Sequence, residues 1–342
     1  TSVYNVAVGY SAGNAITTAT RNTIVGGLAG DALTTGGSNT AVGYGTLSTD
    51  TLGARNVAVG DVALTSQNFT TATNSFNTGI GYGAGNAVTT GQRNTLIGGS
   101  TGDALTDADY NVAMGYNALG GDTLGSRSTA LGYYALAAQN FTTATDTYNT
   151  AVGFAAGELI TTGNQNTLIG GLAGDALTNS DRNVAVGYFA LTTDTLGQYN
   201  TAIGYGSLQT QNFTTATDSY NTAVGYGSGL SVTTGVQNTF VGGLAGDAIT
   251  TGDENVVIGY GSDTSAVDST NQIVMGRGVT GNANLSFCFG EAANDSAIAF
   301  GATSITAPSD IRLKEDIQDE EVGLDFIKDL RPVTFQWKKE KD

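Results

Sequence analysis

Polar and apolar positions alternate in one short phrase that recurs through most of the chain. It reads Asn, then Thr or Val, a variable residue, an aliphatic and Gly: "NVAVG" from Asn5, "NTIVG" from Asn22, "NTAVG" from Asn39 and "NVAVG" from Asn56. The phrase returns at Asn77, Asn94, Asn111, Ser128 and onward to Asn255. Three 17-residue steps and one 21-residue step build a 72-residue super-repeat, whose successive starts are Asn5, Asn77, Asn149 and Asn221. Alternation of period two predicts a short strand, with the Thr/Val and aliphatic positions on one face and the variable residue on the other. The glycine closing each phrase, as at Gly9, Gly26, Gly43 and Gly60, predicts a structural corner where the backbone takes positive φ or passes close to its neighbour.

The absence of a 3.6-residue period and the high glycine content exclude a helical bundle. A propeller blade needs roughly 40 residues, whereas the long unit here subdivides into four. The pattern predicts an all-β chain, a parallel β-roll or β-solenoid, with each rung adding ~4.8 Å. Where the variable residue is large (Ile24, Leu96, Leu168, Phe240), the residue after the corner glycine is Gly; elsewhere that residue is usually aromatic. Close packing penalises voids and overfilling alike, so the trade predicts that the two positions share one volume, within a chain or between chains. So thin a rung leaves part of every face exposed, which predicts burial in a homotrimer, intertwined or side by side. After Gly259 the glycine spacing shrinks through Gly276, Gly290 and Gly301, predicting a tapering end. The expected organisation is a repetitive shaft over 1–262, tapering rungs and a junction over 263–308, and a small α+β segment over 309–342.

Charge sharpens that last boundary. Positions 1–308 hold 6 Arg, no Lys and 20 acidic side chains, a balance of −14, whereas positions 309–342 hold 7 cations against 10 acids. An acidic shaft repels phosphate backbones and anionic headgroups, so neither nucleic acid nor a membrane surface is an expected partner. No apolar run reaches the ~20 residues of a membrane span. The first residues do not resemble a signal peptide, and Thr1 suggests that an N-terminal region is missing. Cys288, between two phenylalanines, is expected to be a buried small residue.

Each 21-residue rung carries "QNFTTAT", and its four extra residues predict a loop bulging from the shaft. This makes Phe69, Phe141 and Phe213 candidate surface contacts for a glycan or receptor, or alternatively braces that cover the roll or pack on a neighbouring chain. Aspartates recur in "GDAL" or "GDAI" (Asp31, Asp103, Asp175, Asp247) and in "DTLG" (Asp50, Asp122, Asp194). They lack the dense spacing of a calcium loop, so turn-forming aspartates are expected and no metal or cofactor. The shaft shows no nucleophile–base set and is not expected to be an enzyme.

Two resemblances rest on these motifs. The "NTAVGY" rungs resemble those in the head of trimeric autotransporter adhesins, which implies a trimeric parallel β-roll over roughly residues 3–301. "SDIRLKEDI", a short apolar stripe at Val322, Phe326 and Leu330, and "LRPVTFQW" resemble the start of the self-cleaving intramolecular chaperone domain of phage tail spikes and tail fibres. That resemblance implies trimerisation, assembly of the shaft, then cleavage of the Pro308–Ser309 bond by Ser309 with Lys314. The family's domain runs on beyond such a segment, so the chaperone is expected to be incomplete here. The expected function is a virion fibre shaft, extracellular, touching itself, a host surface glycan or protein, and a baseplate or other fibre protein. A bacterial trimeric adhesin and a polysaccharide-degrading tail spike are the alternatives.

Overall fold

The computed structural model describes residues 3–292 and 294–302, all within the first of the two units into which the chain divides, Thr1–Thr306. The expectations for Ser309, Lys314 and the α+β segment lie outside the described residues. The described chain is all-β and without a helix, a parallel β-solenoid of about 17 turns. Strands from Val6–Val8 to Ser286–Glu291 pair in parallel, each with its counterpart one rung on. Ile24 lies beside Ala41 across a short rung, and Ala58 beside Gly79 across a long one.

From Thr23–Val25 to Val256–Ile258 the alternation places the variable residue inside, while the end strand Val6–Val8 is exposed throughout. Ile24, Ala41, Leu96, Leu168 and Phe240 are buried, while the flanking Thr/Val and aliphatic positions face outward. From Val6–Val8 to Val256–Ile258 each rung carries one three-residue strand; a second, two-residue ladder forms only at the long rungs, as between Gly53–Ala54 and Thr73–Asn74. The remainder of a rung is too tightly curved for extended backbone and turns through left-handed residues such as Leu28 (φ 57°) and Leu47 (φ 52°). Its peptide groups still pair from rung to rung, Gly30 N donating to Thr46 O at 2.9 Å and Thr34 N to Thr51 O at 3.0 Å.

The size rule has an explanation other than a shared volume within the chain. The variable residue points inward and the residue after the corner glycine outward, so the two do not meet. Inside, the bulk of Leu96 is matched by Gly85 and Gly102, where an added Cβ would lie 2.7 and 2.8 Å from the leucine methyls. Outside, Gly99 lies under the ring of Tyr116, which would stand 3.4 Å from a Cβ at that position. Two separate close-packing constraints therefore share one 72-residue period.

At the C-terminal end the parallel stack continues for two rungs only, and just the second, with Phe287 beside Ile273, is shortened. Gln272–Arg277 and Ser286–Glu291 continue the parallel stack, but Asn294–Ala299 folds back antiparallel on Ser286–Glu291. A gap of two residues is too short for another turn of the solenoid and suits a hairpin instead. Cys288 is buried and unpaired.

Candidate functional site

The anchor asparagine of each rung points inward and stitches the stack. Asn22 Oδ1 accepts from Asn39 N at 2.8 Å, and Asn22 Nδ2 donates to Gly36 O at 3.0 Å; Asn94 repeats this with Asn111 N at 2.9 Å and Ala108 O at 2.7 Å. At the corners, Gly9, Gly26, Gly43 and Gly60 have φ of 136°, 137°, 140° and 127°. A Cβ on Gly43 would run into the carbonyl of Gly60 one rung on.

The long loops are pinned from beneath by buried carboxylates. Asp50 Oδ1 accepts from Gly53 N at 2.9 Å and Phe69 N at 3.2 Å, and its Oδ2 from Gln67 Nε2 at 2.6 Å; Gln67 Oε1 in turn accepts from Asn77 Nδ2 at 2.8 Å. Asp122 and Asp194 make the same contacts one and two super-repeats on. These aspartates are therefore more than turn formers, since each joins two rungs. Burial raises the pKa of Asp50 and Asp194 despite those donors.

This pinning agrees with the second of the two expectations for the loop phenylalanines and not with the first. Phe69, Phe141 and Phe213 are only 5, 6 and 6% exposed, so they serve as braces and not as surface contacts. The Phe213 ring rests on Gly197, 2.9 Å from where a Cβ would be. What the loops expose is small and polar instead: Thr70, Thr71 and Ala72, with Thr142–Ala144 and Thr214–Ala216 at the equivalent places.

The outward face of the main sheet carries the larger signal. Its strand positions leave aliphatics exposed, among them Val8, Ile80, Met114 at 48% and Ile169 at 39%. One edge is the column of aromatics after the corner glycines, where Tyr116, Tyr133 and Phe154 stack in sequence with centroids 5.7 and 5.5 Å apart. The opposite edge is the residue before each anchor asparagine. Read down the rungs it runs Arg55, Phe76, Arg93, Tyr110, Arg127, Tyr148, and with Arg21 and Arg182 it holds five of the six arginines of positions 1–308. Guanidinium groups lie over rings, Arg55 at 5.4 Å from Phe76 and Arg127 at 4.9 Å from Tyr110, and Arg93 Nη1 donates to Tyr110 Oη at 2.7 Å. A hydrogen bond and ion pair to Asp146, Nε to Oδ1 at 2.9 Å, raise the pKa of the exposed Arg127. The column is absent from the sequence expectations, although aligning the residue just before each Asn reveals it.

Among the described residues no group of three or more His, Cys, Asp or Glu could hold a metal, and no helix is long and apolar enough to cross a membrane. Residues 309–342 match the family described as chaperone of endosialidase. That C-terminal segment is similar to the endosialidase chaperones. With the β-solenoid before it, the match makes the chain tail-spike- or fibre-like, a shaft followed by a chaperone-like segment. No curated protein matches the chain.

Proposed function

We propose that the chain is the shaft of a homotrimeric tail fibre or tail spike of a phage or related virion, acting outside the cell in host attachment. The observation that carries this is the exposed apolar face running the length of the solenoid, joined to a C-terminal chaperone match. A contiguous apolar surface of that extent marks an interface. Stacking seventeen rungs at ~4.8 Å gives a face of roughly 80 Å, ample for a stable association. Sedimentation of the purified chain tests it: a mass of three chains is expected, and a monomer with the face still bare would overturn it.

We further propose that the segment from Ser309 registers three chains during assembly and is then removed. Ser309 Oγ attacks the Pro308 carbonyl while a neutral Lys314 amine takes the hydroxyl proton; the Pro308–Ser309 C–N bond breaks, the proton passes to the leaving Ser309 amine, and an ester remains. Water hydrolyses that ester, leaving a Pro308 carboxylate and restoring the hydroxyl. Intact-mass measurement of the full chain and of Ser309→Ala decides this. A product ending at Pro308 is expected only in the former, and equal lengths would sink it. Contact with a host glycan or protein falls to the exposed loop tips, and the virion partner is a baseplate or another fibre protein.

A further inference from the structure

Beyond the trimer itself, we infer how neighbouring chains are aligned: the Arg/aromatic edge of one chain packs against the Tyr edge of the next at the same rung, with Arg55 paired to the neighbour's Asp61. The inference rests on the trimer proposed above, and its occupant is a second copy of this chain.

The two edges border one face. Burial alternates cleanly from Arg55 to Asp61, with Arg55, Val57, Val59 and Asp61 outward and Asn56 and Ala58 inward. The strand Val57–Val59 lies between Arg55 and Asp61 and sets them at opposite borders of the face, so they do not meet within a chain. Neither forms an ion pair among the described residues. Asp61 is also the single acidic residue in the aromatic column between Tyr10 and Tyr260. A closed ring of three chains uses two different patches on each subunit, and a pure rotation about an axis along the shaft carries no rise. Residues that meet across such an interface therefore stand at the same height, and the same-rung partner of Arg55 is Asp61.

Size complementarity follows the same register. Four rungs have Gly in place of the outer aromatic, and each of them carries a long, flexible polar side chain on the opposite edge: Arg21 across from Gly27, Arg93 from Gly99, Gln165 from Gly171 and Gln237 from Gly243. Rungs with a ring on one edge mostly carry a ring on the other, as Phe76 with Tyr82 and Tyr148 with Phe154. Side-chain volume is thus traded between the edges, the arrangement needed where they interlock between chains.

The test is a charge swap in the full chain, with sedimentation first and thermal unfolding of the assembly second. Arg55→Asp and Asp61→Arg should each lower the midpoint, because each sets like charges side by side. The double variant should return it to near the wild-type value. The neutral variants Arg55→Gln and Asp61→Asn, which keep the fold if the reversals do not, should lower it no further together than singly. If the wild-type chain sediments as a trimer but the effects simply add, this register is wrong and the trimer stands. If it sediments as a monomer, both fail.

Discussion

Every rung but the one begun by Ser128 spends its anchor asparagine on hydrogen bonds that hold the stack together. Asn94→Ala strands the Asn111 N–H and the Ala108 carbonyl, which bond to Asn94 at 2.9 and 2.7 Å. Each stranded group costs about 1–3 kcal/mol, so a lower denaturant midpoint is expected, with loss of at least ~2 kcal/mol. Gly43→Ala should be at least as severe, since the added carbon meets the backbone of Gly60, which has no side chain to swing aside. Ser128 marks the exception: it replaces the anchor Asn, and its Oγ instead bonds Thr147 Oγ1 at 2.6 Å and accepts from Gln139 Nε2 at 2.9 Å. Carboxylates add a pH dependence. Burial, and then the charge of Asp247, raise the pKa of Asp263 from 3.8 to about 7. A carboxyl whose folded pKa exceeds its unfolded value binds more protons when folded, so its stabilising contribution is present in full below the unfolded pKa and falls as pH rises to about 7. The unfolding midpoint should therefore drop between pH 4 and pH 7, and Asp263→Asn should flatten that drop.

Single elements here have little stability of their own, because three-residue strands are held only by their neighbours above and below. The long loop depends on its buried carboxylate. Asp122→Ala removes the acceptor for Gly125 N, Phe141 N and Gln139 Nε2 together. The 139–148 segment should then exchange its amide hydrogens faster while rungs two or more away keep their protection, a contrast that hydrogen exchange resolves. Uniform loss along the shaft would contradict a nearest-neighbour solenoid. The period, the strand, its inward residue and the corner glycines were legible because each imposes a residue type at a fixed offset. Burial of Phe69 was legible only as one of two alternatives, because what pulls it in is Asp50 on the previous rung, and a loop's length does not say which way its aromatic turns. The hairpin at Asn294–Ala299 was missed for a related reason: "SAIAFG" has the composition of a rung but too short a lead from Glu291 to complete one. The Arg/aromatic column lay outside the phrase used to align the rungs.

At the scale of the whole molecule, a stack in which each rung contacts its neighbours should tolerate the removal of a complete super-repeat but not of an arbitrary length. Deleting 149–220 joins Tyr148 to Asn221 and restores every local relation at the seam. Ala223 takes the place of Ala151 beside Ala130, and Asn221 Nδ2, which bonds Gln211 at 2.8 Å, meets Gln139 as Asn149 did at the same distance. Inside, Phe240 with Gly229 replaces Leu168 with Gly157, a bulky residue against a glycine in both. Four rungs are lost, shortening the shaft by roughly 19 Å. The charge and size pairings between edges survive too, because both edges lose the same rungs. The shortened chain should keep the assembly state and a thermal midpoint close to that of the full chain. A deletion of equal length beginning mid-rung, 158–229, retains the period but joins Gly157 to Leu230 inside a turn. It leaves rung order intact, so it too should fold, whereas deleting 149–208 puts Gln209 where the anchor Asn149 stood and should give insoluble chain. Folding of the 149–208 deletion with an unchanged midpoint would show that the 72-residue register does not govern assembly of the shaft.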